Sequence, residues 1–481
     1  MKKFKLFLLA LFILPCCFLF SGCALFEVYV TDIYKTGEDG TYTIYYSNGK
    51  KSTITIEDGK DGENATLDLE SLFNSFVSQG LYENTEEGFR AFVKDYFDIE
   101  ENTTNIQKSI NKSLQSAVAV YAAYPTNTAK TQFSISAGAG VIYSMENTGS
   151  NSDYSYIVTN YHVVYAHDSA LASNISNDIV VYQYGLVEDI NVGNIVTTGI
   201  YDSYSFGPNA VSCEYIGGAI NYDIAVLKVK TKDLIDRNTT ARAVDIADKY
   251  SVGETAIAIG NPNAEGTSVT KGIVSVDSEY LTLNDINSQE QTFRVMRIDT
   301  AINGGNSGGG LFNANGELIG IVNAKSFYTS NGNPLEGMGY ALPLDNITKV
   351  AENIIRYHNT NGGIAKVKRL QLGVTLSDPT SKQIYNEETG EIVLIDEFTM
   401  DVVDNGFAKD CGVKVGDAIT AIKVTTSTET KEYKVTRFFN LRDILLCAQV
   451  GDQVSIQIKN SNGSKWLEAK EVTNNHLVIV D

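Results

Sequence analysis

Thr300-Ala-Ile-Asn-Gly-Gly-Asn-Ser-Gly-Gly-Gly-Leu311 is the stretch that decides how the rest of the chain is interpreted. Five of its twelve residues are glycine, and they surround one serine, Ser307. Because glycine has no Cβ, such a run lets backbone N–H groups turn inward and approach a ligand closely. A serine hydroxyl beside converging amides is the arrangement that acyl transfer needs. A flexible glycine turn between two strands is the alternative that this stretch alone leaves open.

The same stretch also fits the G-x-S-x-G elbow of α/β-hydrolases, from Gly305 to Gly309. That elbow requires a helix directly after the serine. Here residues 310–322 are two apolar runs on either side of Asn315-Gly316, a pattern typical of a β-hairpin. The sequence therefore predicts that Ser307 belongs to a mainly β protein.

The composition is that of an ordinary globular protein. A length of 481 residues predicts roughly two to four domains. The chain is 43% hydrophobic and 20% charged, which argues against extensive disorder. Its net charge of −20 argues against a nucleic-acid partner. The 6 cysteines show no metal-ligand spacing, so we expect neither a metal nor a cofactor.

The first 22 residues are interpreted as a targeting segment. A basic start precedes an apolar run from Leu6 to Phe20, which is short for a membrane span of ~20 residues. The run ends in Phe20-Ser-Gly-Cys23, which resembles the lipobox of bacterial lipoproteins, with Cys23 as the acylated residue. Plain secretion with cleavage nearby is the alternative.

The remaining chain changes its pattern several times. Alternating runs on either side of Asn48-Gly49 predict a small β module, and an apolar stripe at helical spacing follows it. Many short apolar strands come next, up to a helix at about Ile347–Tyr357, which predicts a β-barrel or sandwich. The predicted segments are a lipoprotein signal peptide at 1–22, a small β module or spacer at 23–66, a helical segment at 67–104, a β domain at 105–358, a linker at 359–368 and a mixed domain at 369–481.

Ser307 needs a general base, because a serine hydroxyl near its free pKa is a weak nucleophile. Among the 4 histidines, His162 stands at the end of an apolar strand, where it can project into a cleft. Asp223 comes immediately before another apolar strand, and it is unfavourable to bury unless it accepts a hydrogen bond, which an imidazole would supply. The order His, Asp, Ser is the chymotrypsin-type order of a catalytic triad. A structural role for the histidine is the alternative.

Five stretches, in order along the chain, resemble the HtrA/Deg family of serine proteases. They read Thr159-Asn-Tyr-His-Val-Val164, Tyr222-Asp-Ile-Ala-Val226, Gly260-Asn-Pro262 with Val269-Thr-Lys-Gly-Ile-Val-Ser275, Asp299-Thr-Ala-Ile-Asn-Gly-Gly-Asn-Ser-Gly-Gly309 and Gly337-Met-Gly-Tyr-Ala-Leu-Pro343. The resemblance covers residues 105–481. It implies a mainly β chain, with a trypsin-like double β-barrel followed by a PDZ domain and a small N-terminal β and helical extension.

The resemblance implies a role for each residue of the predicted active site. His162 would be the general base, Asp223 the group that orients it and Ser307 the nucleophile. The oxyanion hole would be formed by Gly305, Asn306 and Ser307, through the N–H groups of the first and the last.

Two binding sites are also implied. In trypsin-type folds the floor of the S1 pocket lies six positions before the nucleophile. The implied S1 residues are Ala301, Asn323, Ala324 and Lys325, and the implied PDZ residues are Gln371, Leu372, Gly373 and Val374. In the PDZ domain a peptide C-terminus would add as a strand, its carboxylate held by loop amides. Since an uncharged S1 floor favours apolar side chains, we expect cleavage after small or medium apolar residues.

The chain departs from the family pattern in two places. Gly304 and Gly310 stand where the family often has proline, which loosens the loop around the serine. His162 and Asp223 are 61 positions apart, longer than usual for the family. The surplus is expected in an inserted, tyrosine-rich loop, Asn191–Asn209.

The leading hypothesis is an envelope-anchored serine endopeptidase that cleaves misfolded or exported polypeptides. Its lipid anchor would hold it at the outer face of the cytoplasmic membrane, and the family resemblance implies a homotrimer. The second hypothesis is a catalytically silent chaperone or scaffold that uses the same fold to hold peptides. The intact His, Asp and Ser set favours the enzyme, because a silent copy is free to lose any member.

Overall fold

The computed structural model of this chain describes residues 106–284, 290–323, 337–385 and 392–480, and in the N-terminal part residues 30–35, 41–46, 51–57, 66–67, 69–78 and a few positions from 80 to 92. The chain divides into two compact units, Met1–Asn105 and Ile106–Asp481. The targeting segment, Cys23, Ala324 and Lys325 lie outside the described residues. No helix in the described part of the chain has both the length and the apolar character to cross a membrane.

The N-terminal unit contains a four-stranded antiparallel sheet and a helix. The strands are β1 (Val30–Lys35), β2 (Thr41–Tyr46), β3 (Lys51–Glu57) and β4 (Thr66–Leu67), and helix α1 is Leu69–Ser78. The pairing of β2 with β3 forms a hairpin across the predicted Asn48-Gly49 turn. Phe73 and Phe76 pack against Phe92, with ring centroids 5.4 Å apart in each pair. Phe92 belongs to the predicted apolar stripe and is fully buried.

The second unit begins with a helix, α2, at residues 106–114, and a closed barrel of six strands follows. The barrel strands are β5 (Ala117–Pro125), β6 (Phe133–Met145), β7 (Tyr154–Thr159), β8 (Asp178–Gln183), β13 (Val211–Ala219) and β14 (Ile224–Lys230). Their order is β6-β5-β8-β13-β14-β7, and pairing of β7 with β6 closes the ring. Two short helices, α3 (Tyr161–Val164) and α4 (Thr231–Ile235), follow β7 and β14.

Strand β5 shows how the apolar pattern builds this barrel. Val118 and Val120 belong to the barrel core, whereas Ala119 and Tyr121 belong to a second apolar cluster on the other face. Because side chains alternate along a strand, a run that is apolar at every position is buried on both faces.

The predicted insertion between β8 and β13 forms four short strands. They are β9 (Asn191–Val192), β10 (Ile195–Thr197), β11 (Ile200–Tyr201) and β12 (Tyr204–Ser205). Tyr201 pairs with Phe133, so β11 and β10 extend the barrel sheet beyond β6. Tyr204 packs edge-on against Phe133 and donates its hydroxyl to Asp178 at 2.6 Å. The insertion therefore lies over the outer surface of the first barrel.

A second closed barrel of six strands follows. Its strands are β16 (Thr255–Gly260), β17 (Ser268–Asn284), β18 (Glu290–Ile298), β19 (Gly310–Phe312), β20 (Glu317–Val322) and β21 (Gly339–Pro343), with β15 (Asp245–Ile246) added to β20 in parallel. The order is β20-β19-β16-β17-β18-β21, closed by pairing of β21 with β20. Strands β19 and β20 are the hairpin predicted after Ser307.

Helix α5 (Leu344–Asn361) follows the last strand of the second barrel and is longer than predicted. Its apolar face, with Ile347, Val350 and Ile354, is fully buried in the main core. The helix ends at Gly362, which adopts φ 70°. Strand β22 (Ala365–Lys366) then pairs in parallel with β13 of the first barrel. Residues 359–368, expected to be a linker, thus include the last turn of α5 and a strand added to a barrel.

The C-terminal residues surround a core of their own. The strands are β23 (Lys368–Leu370), β24 (Val374–Leu376), β25 (Thr380–Tyr385), β26 (Ile392–Glu397), β27 (Met400–Val403), β28 (Ala418–Thr425), β29 (Thr430–Lys434), β30 (Gln453–Asn460), β31 (Gly463–Trp466), β32 (Lys470–Glu471) and β33 (Leu477–Ile479), and the helices are α6 (Phe407–Asp410) and α7 (Phe438–Ile444). Met400, Phe407 and Ile456 are fully buried in this core.

A buried ion cluster joins the second barrel to α7. Arg294 on β18 is 7% exposed and binds both carboxylate oxygens of Asp345 at 2.8 and 3.0 Å. The same guanidinium binds Asp443 of α7 and lies 4.0 Å from the ring centroid of Phe439. Burial, together with the nearby Asp345 carboxylate, outweighs the effect of Arg294 and raises the pKa of Asp443 to about 6. Removing the arginine would leave the buried carboxylate of Asp443 and the partly buried carboxylate of Asp345 without this cation.

We therefore expect Arg294→Met to destabilise the C-terminal part by about 3–5 kcal/mol at pH 7. The loss should shrink at pH 5. The raised pKa of Asp443 means that its carboxyl takes up a proton as the pH falls below about 6, and a neutral carboxyl is not left as an unpaired buried charge when the arginine is removed. Urea unfolding followed by fluorescence of Trp466, the single tryptophan, measures both values. Arg297→Met is the matched control on β18, since Arg297 meets Glu279 at 3.7 Å in a half-exposed pair and should contribute under about 1 kcal/mol. Equal losses for the two variants would contradict the expectation.

Candidate active site

His162 and Asp223 are in direct contact. The chain leaves β7 at Thr159 and enters the short helix α3, which buried Val163 and Val164 anchor in the first barrel. His162 Nδ1 lies 2.7 Å from Asp223 Oδ2, and the backbone N–H of His162 donates to Asp223 Oδ1 at 3.0 Å. An ionised carboxylate can only accept, so Nδ1 carries the proton and Nε2 has a free lone pair.

The backbone of Asp223 adopts an unusual conformation that aims its carboxylate. It follows a 3₁₀ turn, Ile220–Tyr222, and has φ 51° and ψ 41°, in the left-handed region. Aspartate is one of the few residues other than glycine that visit this region. Asp223 is 3% exposed, and its carbonyl accepts hydrogen bonds from Tyr161 N–H and Asn160 Nδ2. The carboxylate is thus fixed from both its side chain and its main chain.

Asn323 is a third partner of Asp223. It follows β20 directly, and its Nδ2 donates to Asp223 Oδ2 at 3.0 Å. The family resemblance implies that Asn323 is an S1 residue and does not predict this contact. Asn323 is 3% exposed, and a buried asparagine requires a polar partner, which is the one feature that points to such a contact.

Ser307 lies beside the segment that leads to His162. Its carbonyl accepts a hydrogen bond from Ala139 of β6 at 2.8 Å, and its neighbour Gly308 donates to Val322 at 2.9 Å. A Cβ on Gly308 would lie 2.3 Å from the Thr159 hydroxyl, so glycine permits this approach of the two barrels. The serine from the second barrel and the histidine from the first therefore occupy neighbouring segments where the barrels meet.

The loop before Ser307 is folded on itself. Asn306 N–H donates to Asn303 O at 3.1 Å, and Gly309 N–H donates to Asn306 O at 3.0 Å. Gly305 adopts φ 92°. The N–H of Asn306 is thus engaged within the loop.

Comparison with known proteins identifies the fold and the family. The family described as "Trypsin-like peptidase domain" matches residues 138–321, a range that contains His162, Asp223 and Ser307. The Do-like serine protease HtrA of Lactococcus lactis subsp. cremoris is 30% identical over 344 residues, which cover 69% of this chain and 72% of the relative. The chain belongs to the HtrA family of serine proteases. Its mainly β, trypsin-like double barrel is as predicted, and it is a serine endopeptidase.

Two further HtrA relatives give similar matches. The Do-like serine protease HtrA of Lactococcus lactis subsp. lactis is 30% identical over 343 residues, which cover 70% of each chain. The periplasmic serine endoprotease DegP of Escherichia coli K12 is 29% identical over 289 residues, covering 59% of this chain and 48% of DegP.

Among the residues expected in the S1 pocket of this HtrA chain, Ala301 is exposed, and its carbonyl accepts the Thr270 hydroxyl at 2.9 Å. Asn323 contacts Asp223, as described above. Ala324 and Lys325 lie outside the described residues. No cluster of three or more His, Cys, Asp or Glu among the described residues could hold a metal ion.

The expected PDZ loop of the HtrA chain turns its carbonyls to one side. The carbonyls of Gln371, Leu372 and Gly373 accept hydrogen bonds from Phe407, Ala408 and Asp404 at 3.2, 3.0 and 2.8 Å. In a planar trans peptide the next N–H points opposite to the carbonyl. The amides of Leu372, Gly373 and Val374 therefore all point away from those partners. Gly373 has φ 71°, and a Cβ there would lie 2.8 Å from Asn405 O, so the turn requires glycine.

Proposed function

We propose that this protein is an envelope-anchored endopeptidase that cleaves misfolded or exported polypeptides through His162, Asp223 and Ser307. The observation that carries the proposal is the 2.7 Å contact between His162 Nδ1 and Asp223 Oδ2, beside the loop that holds Ser307. This contact fixes the imidazole in the tautomer that can take a proton from serine.

The proposed reaction uses the groups in sequence. Ser307 Oγ attacks the scissile carbonyl while His162 Nε2 takes its proton, and Asp223 stabilises the resulting imidazolium. The N–H groups of Gly305 and Ser307 donate to the oxyanion. His162 then protonates the leaving amine, an acyl-enzyme forms at Ser307, and a water molecule activated by His162 hydrolyses it.

The C-terminal residues 369–481 are proposed as a PDZ domain, after a protease domain at 105–358. Three successive amides, from Leu372 to Val374, point away from the partners of the loop carbonyls and would hold the carboxylate of a peptide. A substrate C-terminus would bind there and extend along β24 as an added strand. A homotrimer, implied by the family resemblance, completes the proposed organisation.

Casein hydrolysis by the mature protein tests the function. The wild-type protein should degrade denatured casein, and its Ser307→Ala form should not. A wild-type protein that binds casein without cleaving it would instead support the silent chaperone or scaffold.

Cleavage should follow small or medium apolar residues such as Val, Ala, Ile and Leu. These side chains gain up to about 1.5–3 kcal/mol on burial above an uncharged Ala301 floor. An unpaired Lys or Arg charge in the same pocket would be unfavourable by several kcal/mol, on the order expected for desolvation. Mass spectrometry of casein fragments maps the sites. A majority after Lys or Arg would contradict the apolar pocket, and a majority after Asp or Glu would assign specificity to Lys325.

Lipid at Cys23 is proposed to anchor the protein to the outer face of the cytoplasmic membrane. Two or more acyl chains give stable attachment, whereas one gives only marginal binding. Cys23→Ser should therefore remain an unprocessed precursor that incorporates no labelled palmitate in cells. Cys213→Ser is the matched control and should be labelled like the wild type. Normal labelling of the Cys23→Ser protein would refute the anchor.

The E. coli relative is named a periplasmic endoprotease, which supports an extracytoplasmic location for this chain as well.

A further inference from the structure

The loop after β16 holds the backbone of the proposed oxyanion loop. Asn261 N–H donates to Gly305 O at 3.2 Å, and Asn263 N–H donates to Gly304 O at 2.8 Å. A Cβ on Gly305 would lie 2.2 Å from Asn261 O, so only glycine allows this contact. Because C=O and the following N–H point in opposite directions in a trans peptide, the hold on Gly304 O turns the Gly305 N–H away from this loop.

The side chain of Asn261 fixes this loop to the first barrel. The residue is 1% exposed, and its Nδ2 lies 3.1 Å from the Tyr121 hydroxyl and 3.4 Å from Gly138 O. Its Oδ1 accepts from the N–H of Gly266, at the far end of the same loop, at 2.9 Å. All polar atoms of this amide group are therefore engaged.

Strand β6 connects the loop to the nucleophile. Gly138 accepts from Asn261, and the next residue, Ala139, donates its N–H to the carbonyl of Ser307 at 2.8 Å. Two adjacent residues of one strand thus hold both the asparagine and the serine. The peptide unit between Gly138 and Ala139 therefore sets the position of Asn261 relative to Ser307.

The loop itself adopts an unfavourable conformation. Asn263 and Ala264 have φ of 54° and 60°, in the left-handed region that residues other than glycine rarely adopt. Such a conformation persists only when surrounding contacts determine it. The Tyr121 hydroxyl donates to Ala264 O at 3.3 Å, and burial raises the pKa of this tyrosine, which keeps it a neutral donor.

We infer that Asn261 is a positioning residue for the oxyanion hole. Its side chain holds the 261–266 loop against the first barrel, and the amides of that loop hold the carbonyls of Gly304 and Gly305. The N–H of Gly305 is thereby aimed at the reacting carbonyl. The inference rests on the proposed function, in which this N–H stabilises the oxyanion.

The test compares Asn261→Ala with the wild-type mature protein on a chromogenic peptide anilide. The variant should lose about 10- to 100-fold in kcat with KM within about threefold, because a misdirected oxyanion donor acts only in the transition state. A peptide aldehyde, whose adduct places an oxyanion at the same point, should bind more weakly by the same factor. A non-covalent peptide amide of the same sequence should bind as before.

Asn353→Ala is the matched control, since Asn353 is 3% exposed and its Nδ2 donates to Lys368 O and Leu446 O, neither of which belongs to the proposed site. It should lower Tm but leave kcat within about threefold, as expected for a structural asparagine. Unchanged kcat and aldehyde affinity in Asn261→Ala, or equal kcat losses in the two variants, would overturn the inference. An inactive wild-type protein would instead overturn the proposed function.

If Asn261→Ala does not fold, Tyr121→Phe tests the same inference. It removes one hydroxyl, which accepts from Asn261 and donates to Ala264, and keeps the buried ring. We expect kcat to fall and aldehyde affinity to weaken in parallel at unchanged KM. A variant with wild-type kcat would overturn the inference.

Discussion

Replacing Ser307 with alanine should lower kcat about 10⁶-fold, and replacing His162 with alanine should lower it by a similar factor. The double variant should be no slower than either single one, because the nucleophile and its base act as a unit. The contact of His162 Nδ1 with Asp223 leaves Nε2 as the proposed acceptor of the serine proton. Hydrolysis of a peptide anilide by the three purified variants measures these effects.

Two matched variants separate chemistry from folding. Ser155 is fully buried in the first barrel and bonds the Thr231 hydroxyl at 2.8 Å, so Ser155→Ala tests the removal of a buried serine outside the proposed site. His167 is mostly exposed and pairs only weakly with Asp168, so His167→Ala tests the loss of a histidine. Both should keep wild-type kcat. Residual activity of Ser307→Ala near the wild-type level would end the protease assignment of this serine.

The sequence predicts the fold because the two barrels are built from apolar strands that alternate or are buried on both faces. Val118, Val120 and the hairpin after Ser307 follow such local patterns. The candidate site is predictable for a related reason. His162 lies in the short helix that directly follows one apolar strand, and Asp223 precedes another, so the strands that form the core also deliver these polar side chains to its edge.

Contacts between distant, short or polar segments could not be predicted in this way. Asn323 reaches Asp223 across 100 positions, and Arg294 reaches Asp443 across 149, with no periodicity to connect them. The two-residue strand Ala365–Lys366 lies in a glycine-rich stretch, where a linker is the natural prediction. The directions of the Gly304 and Gly305 carbonyls depend on backbone torsions, which residue type leaves open for glycine.

Asp223→Asn should lower kcat about 10⁴-fold, less than the loss of the serine but far more than the loss of one ordinary hydrogen bond. The carboxylate accepts from His162 Nδ1, His162 N–H and Asn323 Nδ2. An amide in its place can accept through one atom only and presents an NH₂ group at the other. When the amide oxygen accepts from the His162 N–H, the NH₂ group faces the imidazole, and Nδ1 must then accept a hydrogen bond. The ring proton moves to Nε2, so the imidazole can no longer take the proton of Ser307.

Asparagine is the informative substitution because of the backbone at this position. Asp223 has φ 51°, and asparagine tolerates the left-handed region, whereas alanine would add strain to the loss of charge. The Asn variant should therefore keep the wild-type Tm within a few degrees while kcat falls. Kinetics on the peptide anilide and thermal unfolding, measured on the same preparation, test both parts. A kcat loss of less than about tenfold would show that His162 reaches its reactive tautomer without this carboxylate, and it would contradict the role proposed for Asp223.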